Sequence, residues 1–117
     1  MHLTTTKKHN IVYLVGHSAR QECHLENIIP LVDPQYESGK NVGIVLMQDG
    51  VIGTSRIGTV PETLTYFIEM DIPVHVLAPD LKARGINPDQ LIDKVDVITY
   101  EDLVDILAES NKVISIL

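Results

Sequence analysis

Five short runs rich in Val and Ile punctuate the chain: IVYLV (11–15), VGIVLM (42–47), VHVLA (74–78), VDVIT (95–99) and VISIL (113–117). Each has the length of a strand. Most show no alternation of apolar and polar positions, which predicts strands buried on both faces of a parallel sheet rather than strands with one wet face. His75 and Asp96 are the polar interruptions.

The segments between these runs carry helix starts. Pro61 precedes Glu62, Pro79 precedes Asp80, Asn87-Pro88 is followed by Gln90, and Thr99 has Asp102 three residues on. Proline in a first turn and side-chain caps of this kind suit the free amides there. A first helix is expected over residues 25–32, limited by Pro30. In the last helix, Leu103, Ile106 and Leu107 recur at helical spacing and should face the sheet. Gly85 and Asn111 are expected as stops, since both tolerate the left-handed turn that ends helices. Residues 33–41 (DPQYESGKN) and 50–59 read as polar, glycine-bearing loops.

Strands that alternate with helices imply right-handed crossovers. The expected architecture is α/β: a single three-layer α/β/α domain over residues 1–117, with a mainly parallel five-stranded sheet. A chain of 117 residues with 44% hydrophobic and 21% charged residues is long and apolar enough to bury one core without disulfides or metal.

Charge narrows the function. A net charge of −7 with only nine scattered Lys and Arg argues against direct nucleic-acid binding, because phosphate contacts need clustered cations. Lys7-Lys8, the one adjacent basic pair, reads as part of a solvated tail. The single cysteine, Cys23, excludes an intrachain disulfide, and no apolar run approaches the roughly 20 residues of a membrane helix. With no secretory pattern at its start, the chain is expected to be cytoplasmic.

In an open parallel sheet, ligands sit outside the carboxyl ends of the strands, here residues 16–24, 48–54, 79–84 and 99–102. These hold Ser18, Arg20, Cys23, His24, Asp49, Asp80 and Arg84. Gly16-His17-Ser18 lacks G-x-G-x-x-G and G-K-[ST], so it reads as a tight turn, not a phosphate loop. No cofactor is expected. His17, Cys23 and His24 fall short of a four-ligand zinc set, so no metal is expected either. No G-x-S-x-G motif surrounds a serine.

Three readings stay open at single positions. Cys23 is either a small inert residue or, acidified by a helix amino end with Arg20 and His24 nearby, a sulfur-carrying thiolate. Asp49-Gly50 reads as a turn in which glycine supplies a positive backbone angle. Asp80 and Arg84, four apart, form either a surface pair or, with Asp49, Gly50 and Gly85, a binding or interface surface.

Three ordered segments resemble a known family: VLMQDGVIG (45–53), VHVLAPDLKARGI (74–86) and ITYEDLVDILAESNKVISIL (98–117). They look like the small sulfur-relay proteins of the DsrE/DsrF/DsrH group, in its DsrH/TusB branch. The carrier branch of that group ends its central strand in a cysteine, whereas this chain has Leu77-Ala78-Pro79 there. The resemblance implies an accessory subunit, homo- or hetero-oligomeric, that assembles with cysteine-bearing DsrE/DsrF (TusD/TusC)-like partners. Persulfide sulfur would pass between proteins, toward tRNA wobble-uridine thiolation or sulfur oxidation. Whether the chain is itself catalytic is left open, with Cys23 the one candidate carrier. The alternative is a stand-alone homo-oligomeric protein that binds a small anion or other small ligand between Asp49-Gly50 and the helix near Pro79.

Overall fold

The structure, a computed structural model, describes residues 9–18 and 25–117. Five parallel strands form one sheet: β1 (Ile11–Val15), β2 (Val42–Leu46), β3 (Val74–Leu77), β4 (Val95–Ile98) and β5 (Lys112–Ile116), in the order β4-β3-β2-β1-β5. The apolar runs locate all five to within a residue at each end. Four α-helices connect them: α1 (Ile29–Glu37), α2 (Glu62–Glu69), α3 (Ala78–Ala83) and α4 (Tyr100–Glu109).

Strand order dictates the layers. From β1 to β4 each new strand is added on the same side of its predecessor, so right-handed crossovers place α1, α2 and α3 on one face. The α4 connection runs back to the far edge beyond β1, which puts α4 on the other face. The two cores agree. Val32, Leu64, Phe67 and Leu81 pack with Tyr13, Ile44, Leu46 and Val76 on the first face. Leu103, with Ile106 and Leu107, covers Val12, Leu14, Val45, Leu77 and Ile98 on the second. The result is the α/β/α arrangement expected from the pattern.

Some expectations give way. The interior strands β1, β2 and β3 are buried throughout, but β4 and β5 are edge strands that expose Asp96 and Val97, and Lys112, Val113 and Ser115. Residues 33–37 are helical rather than loop. Pro30 lies in the first turn of α1, where its missing N–H removes no helical bond, so it starts the helix instead of limiting it. Buried Val32 and the Tyr13 Oη–Gln35 Oε1 hydrogen bond (2.7 Å) hold the following turn on the sheet, Pro34 notwithstanding. Gly85 closes α3 with φ +67°, as expected, whereas α4 ends on an extended Ser110 and Asn111 takes no left-handed turn.

The Thr99–Asp102 pair is a full capping box: Thr99 Oγ1 accepts from the Asp102 amide (3.1 Å) and an Asp102 carboxylate oxygen accepts from the Thr99 amide (3.0 Å). Since α4 is the one helix on the second face among the described residues, Thr99→Ala is expected to lower stability by about 1 kcal/mol in urea denaturation.

Candidate functional site

At the carboxyl end of β2 the chain turns sharply through a short 3-10 segment, Gln48–Val51. Gln48, not Gly50, takes the left-handed conformation there, with φ 54°. Glycine at 50 is required for a different reason: a Cβ would overlap the carbonyl oxygen of Val15, at the end of β1. The expectation that Gly50 supplies the positive angle is therefore corrected. Gly50 lets the β2 turn lie against the β1 backbone.

Asp80, in the first turn of α3, stabilises the strained turn. Its Oδ2 accepts from the Gln48 amide at 2.7 Å. Arg84, one turn on, donates from Nε (3.1 Å) and Nη2 (3.0 Å) to Asp49 Oδ1, and from Nη1 (3.3 Å) to the Asp80 carbonyl. Its guanidinium also lies 3.8 Å from an Asp80 carboxylate oxygen. The i,i+4 pairing read from sequence is present, and Arg84 bridges the two acidic residues. Asp80 is mostly covered while Asp49 is exposed, so the network has a fixed inner half and a solvent-facing outer half.

The loop after β1 and the residue after β5 close on this turn. A Cβ on Gly16 would stand 2.8 Å from Gln48 Oε1 and 2.9 Å from Leu117 Cδ2, so Gln48 and the chain end close over Gly16. Buried Ser18 donates to the Ile52 carbonyl (3.2 Å), tying the β1 loop to the segment after β2. Asp49, Gly50, Asp80 and Arg84 are thus one neighbourhood. Gly85 stands beside it as the end of α3, with open space within 4 Å of where a Cβ would stand. Cys23, Arg20 and His24 lie outside the described residues.

Such a surface offers two carboxylates and one guanidinium already engaged with one another. All three groups are held in place by these contacts at the carboxyl end of the sheet.

The DsrH-like protein family matches residues 17–113, most of the chain. The chain belongs to the DsrH-like family. It is therefore a member of a sulfur-relay family. An uncharacterised protein of Methanopyrus kandleri is 33% identical over 82 residues, covering 65% of this chain and 68% of that one. A counterpart from Methanocaldococcus jannaschii is 31% identical over 83 residues, covering 66% and 73%. Among solved structures, the ychN protein of E. coli superposes with a TM-score of 0.75 at 21% identity, covering 92% of this chain and 98% of that one. MTH1491 of Methanobacterium thermoautotrophicum, a protein of unknown function, gives 0.68 at 17% identity, covering 89% and 98%. At these identities the two structures establish the fold.

A second polar cluster, at the opposite end of the sheet, was not singled out by sequence reasoning as a unit. His9 Nε2 lies 3.0 Å from His75 Nε2, and His75 Nδ1 lies 2.8 Å from Asp96 Oδ2. Both imidazoles are buried, whereas the Asp96 side chain is half exposed. The signal was present in part: the two polar interruptions, His75 in β3 and Asp96 in β4, are register partners. His9 reaches them by crossing Gly43 of β2, where a Cβ would meet its ring at 2.5 Å. Burial, and secondarily the neighbouring His75, push the His9 pKa down to about 4.

Proposed function

We propose that this chain is a non-carrier subunit of a sulfur-relay complex, presenting the Asp49–Asp80–Arg84 surface to a cysteine-bearing DsrE- or DsrF-like partner. The observation that carries the reading is the carboxyl end of β3. Buried Leu77 runs straight into Ala78 and Pro79 of α3, so the position where the carrier branch holds its sulfur has no nucleophile. Persulfide transfer requires a thiolate and an accessible acceptor sulfur. A partner must supply the carrier cysteine at this place.

Membership of the DsrH-like family supports the choice of partner class. The acidic balance of the chain favours protein partners over direct contact with tRNA. Destinations consistent with the family are wobble-uridine thiolation and sulfur oxidation, served from the cytoplasm.

Cys23 gives a second reading, in which this chain itself accepts sulfur. Ser18, five residues before Cys23 in the sequence, donates to the Ile52 carbonyl at the carboxyl end of the sheet. The subunit reading is tested by mixing the purified chain with DsrE- and DsrF-like subunits of its own organism and measuring assembly by sedimentation. The subunit reading requires a stable complex that survives Cys23→Ser; no association in either form rules it out.

Arg84→Ala sharpens the assignment of the surface. Arg84 is partly exposed, so the exchange is expected to cost no more than about 1 kcal/mol of stability. Partner affinity is expected to fall by about tenfold or more, read by calorimetric titration, because truncating an interface arginine also leaves Asp49 without its cation, while Asp80 keeps only the Gln48 amide.

A further inference from the structure

A cleft of about 590 Å³ opens at the amino-terminal ends of β1 and β2, opposite the carboxyl-end surface. His9, Tyr36, Lys40, Asn41 and Asp71 supply its polar lining. Its volume falls within the range of small-molecule sites, roughly 300–1,000 Å³. The His9–His75–Asp96 chain runs from this cleft to the β4 edge.

Donor counting fixes the protons of that chain. An ionised carboxylate only accepts, so His75 Nδ1 carries the proton directed at Asp96. The contact between the two Nε2 atoms holds one proton. With both rings neutral, it belongs to His9, because His75 has already placed its own on Nδ1. His9 Nδ1 is then a bare lone pair. Among the described residues, His75 is the sole side-chain partner of His9, and no sealed-off side-chain nitrogen or oxygen lacks a partner. Nδ1 is therefore accessible, on the cleft that His9 lines.

Charge settles what else a ligand needs. Asp71 is paired with Lys94 at 3.4 Å, while Lys40 has no carboxylate within ion-pair distance among the described residues. The cleft thus offers one cation without an ion-pair partner, Lys40, and one accessible acceptor on an otherwise buried imidazole.

We propose that this cleft binds a small anion that carries its own proton donor, with Lys40 taking the charge and His9 Nδ1 accepting the ligand's hydrogen bond. Asp96, which does not line the cleft, acts as a positioning residue: by holding the proton on His75 Nδ1 it makes His9 an acceptor rather than a donor. An anion without a proton presents only lone pairs to another lone pair and is rejected. The site is independent of the sulfur-relay reading.

Phosphate and sulfate test the proposal directly, since both are tetrahedral oxyanions but only phosphate keeps an O–H near neutral pH. The ¹⁵N-labelled full chain is titrated with each at about pH 7.5, where ordinary imidazoles are neutral, at matched ionic strength. Amide shifts of residues 36, 40, 71 and 72 report binding. Expected are saturable shifts with phosphate and affinity for sulfate about tenfold lower or worse, as a site built to accept a hydrogen bond rejects the analogue lacking it. Lys40→Met, at an exposed position, is expected to weaken phosphate about fivefold, the scale of one solvated ion pair. Asp96→Asn is expected to reduce the phosphate-to-sulfate ratio about threefold or more, since a neutral amide orients the neighbouring imidazole less firmly. Absence of saturable phosphate shifts, equal affinity for the two anions, or a ratio untouched by Asp96→Asn in a variant that keeps its dispersed spectrum would each overturn the proposal.

Discussion

Acidification from about pH 7 to about pH 4 is expected to remove on the order of 2–3 kcal/mol of stability through His9 alone. In the folded chain the pKa of His9 is lowered from 6.5 to about 4, first because its ring is buried and second because His75 stands against it. In the unfolded chain it returns to its ordinary value. Between these two values the unfolded state binds the extra proton, so acid favours unfolding. The stabilisation is complete above the unfolded pKa and is lost as pH falls toward the folded one. The geometry gives the same sense: a second proton on the Nε2···Nε2 contact, 3.0 Å long, sets two N–H groups against each other.

The groups around His9 are His75 and Asp96 across the sheet, Gly43 beneath, and Tyr36, Lys40 and Asp71 along the cleft. Urea denaturation at stepped pH gives the slope. His9→Gln is expected to flatten it over this interval. An unchanged slope in that variant would assign the acid sensitivity to other groups.

Gly50→Ala is the second large effect. The added methyl overlaps the Val15 carbonyl oxygen, which also accepts from the Met47 amide at 3.0 Å, so neither partner is a flexible side chain that swings aside. A loss of about 3 kcal/mol is expected, at the upper end of overpacking costs because backbone must move. Gly85→Ala makes the contrast. That position has φ +67° but open space around it, so the cost is expected to be about 1–2 kcal/mol, from conformation alone. Paired denaturation curves check the order. If Gly85→Ala proves the costlier change, close approach is not what the Asp49-Gly50 turn needs. Because Gly50→Ala displaces the turn that carries Gln48 and Asp49, it is also expected to weaken partner association more than Gly85→Ala does.

The strands were legible because an interior strand of a parallel sheet has no polar side to disguise it, and IVYLV at residues 11–15 is β1 to the residue. The α4 cap was legible because a capping box is local. What sequence concealed was non-local. The reason for glycine at 50 lies in the backbone of β1, and nothing in the local string Q-D-G-V announces it. The extent of α1 was hidden because a buried Val32 and a hydrogen bond from Tyr13 outweigh the loop-like composition of residues 33–37. The histidine cluster needed the β3–β4 register and the gap over Gly43, both products of strand order. The candidates Asp49, Asp80 and Arg84 do lie together at the carboxyl end, but that Asp80 serves the Gln48 amide could not be read from sequence.

The central claim is that sulfur in this relay is carried by a partner and not by this chain. The most direct measurement supplies a cysteine desulfurase as sulfur source to the chain, alone and with a DsrE-like partner, and reads every subunit by intact mass. The account predicts one added sulfur on the partner's cysteine and none on this chain, with the two proteins remaining associated. One sulfur gained by this chain and abolished by Cys23→Ser would contradict it, and would make Cys23 the carrier.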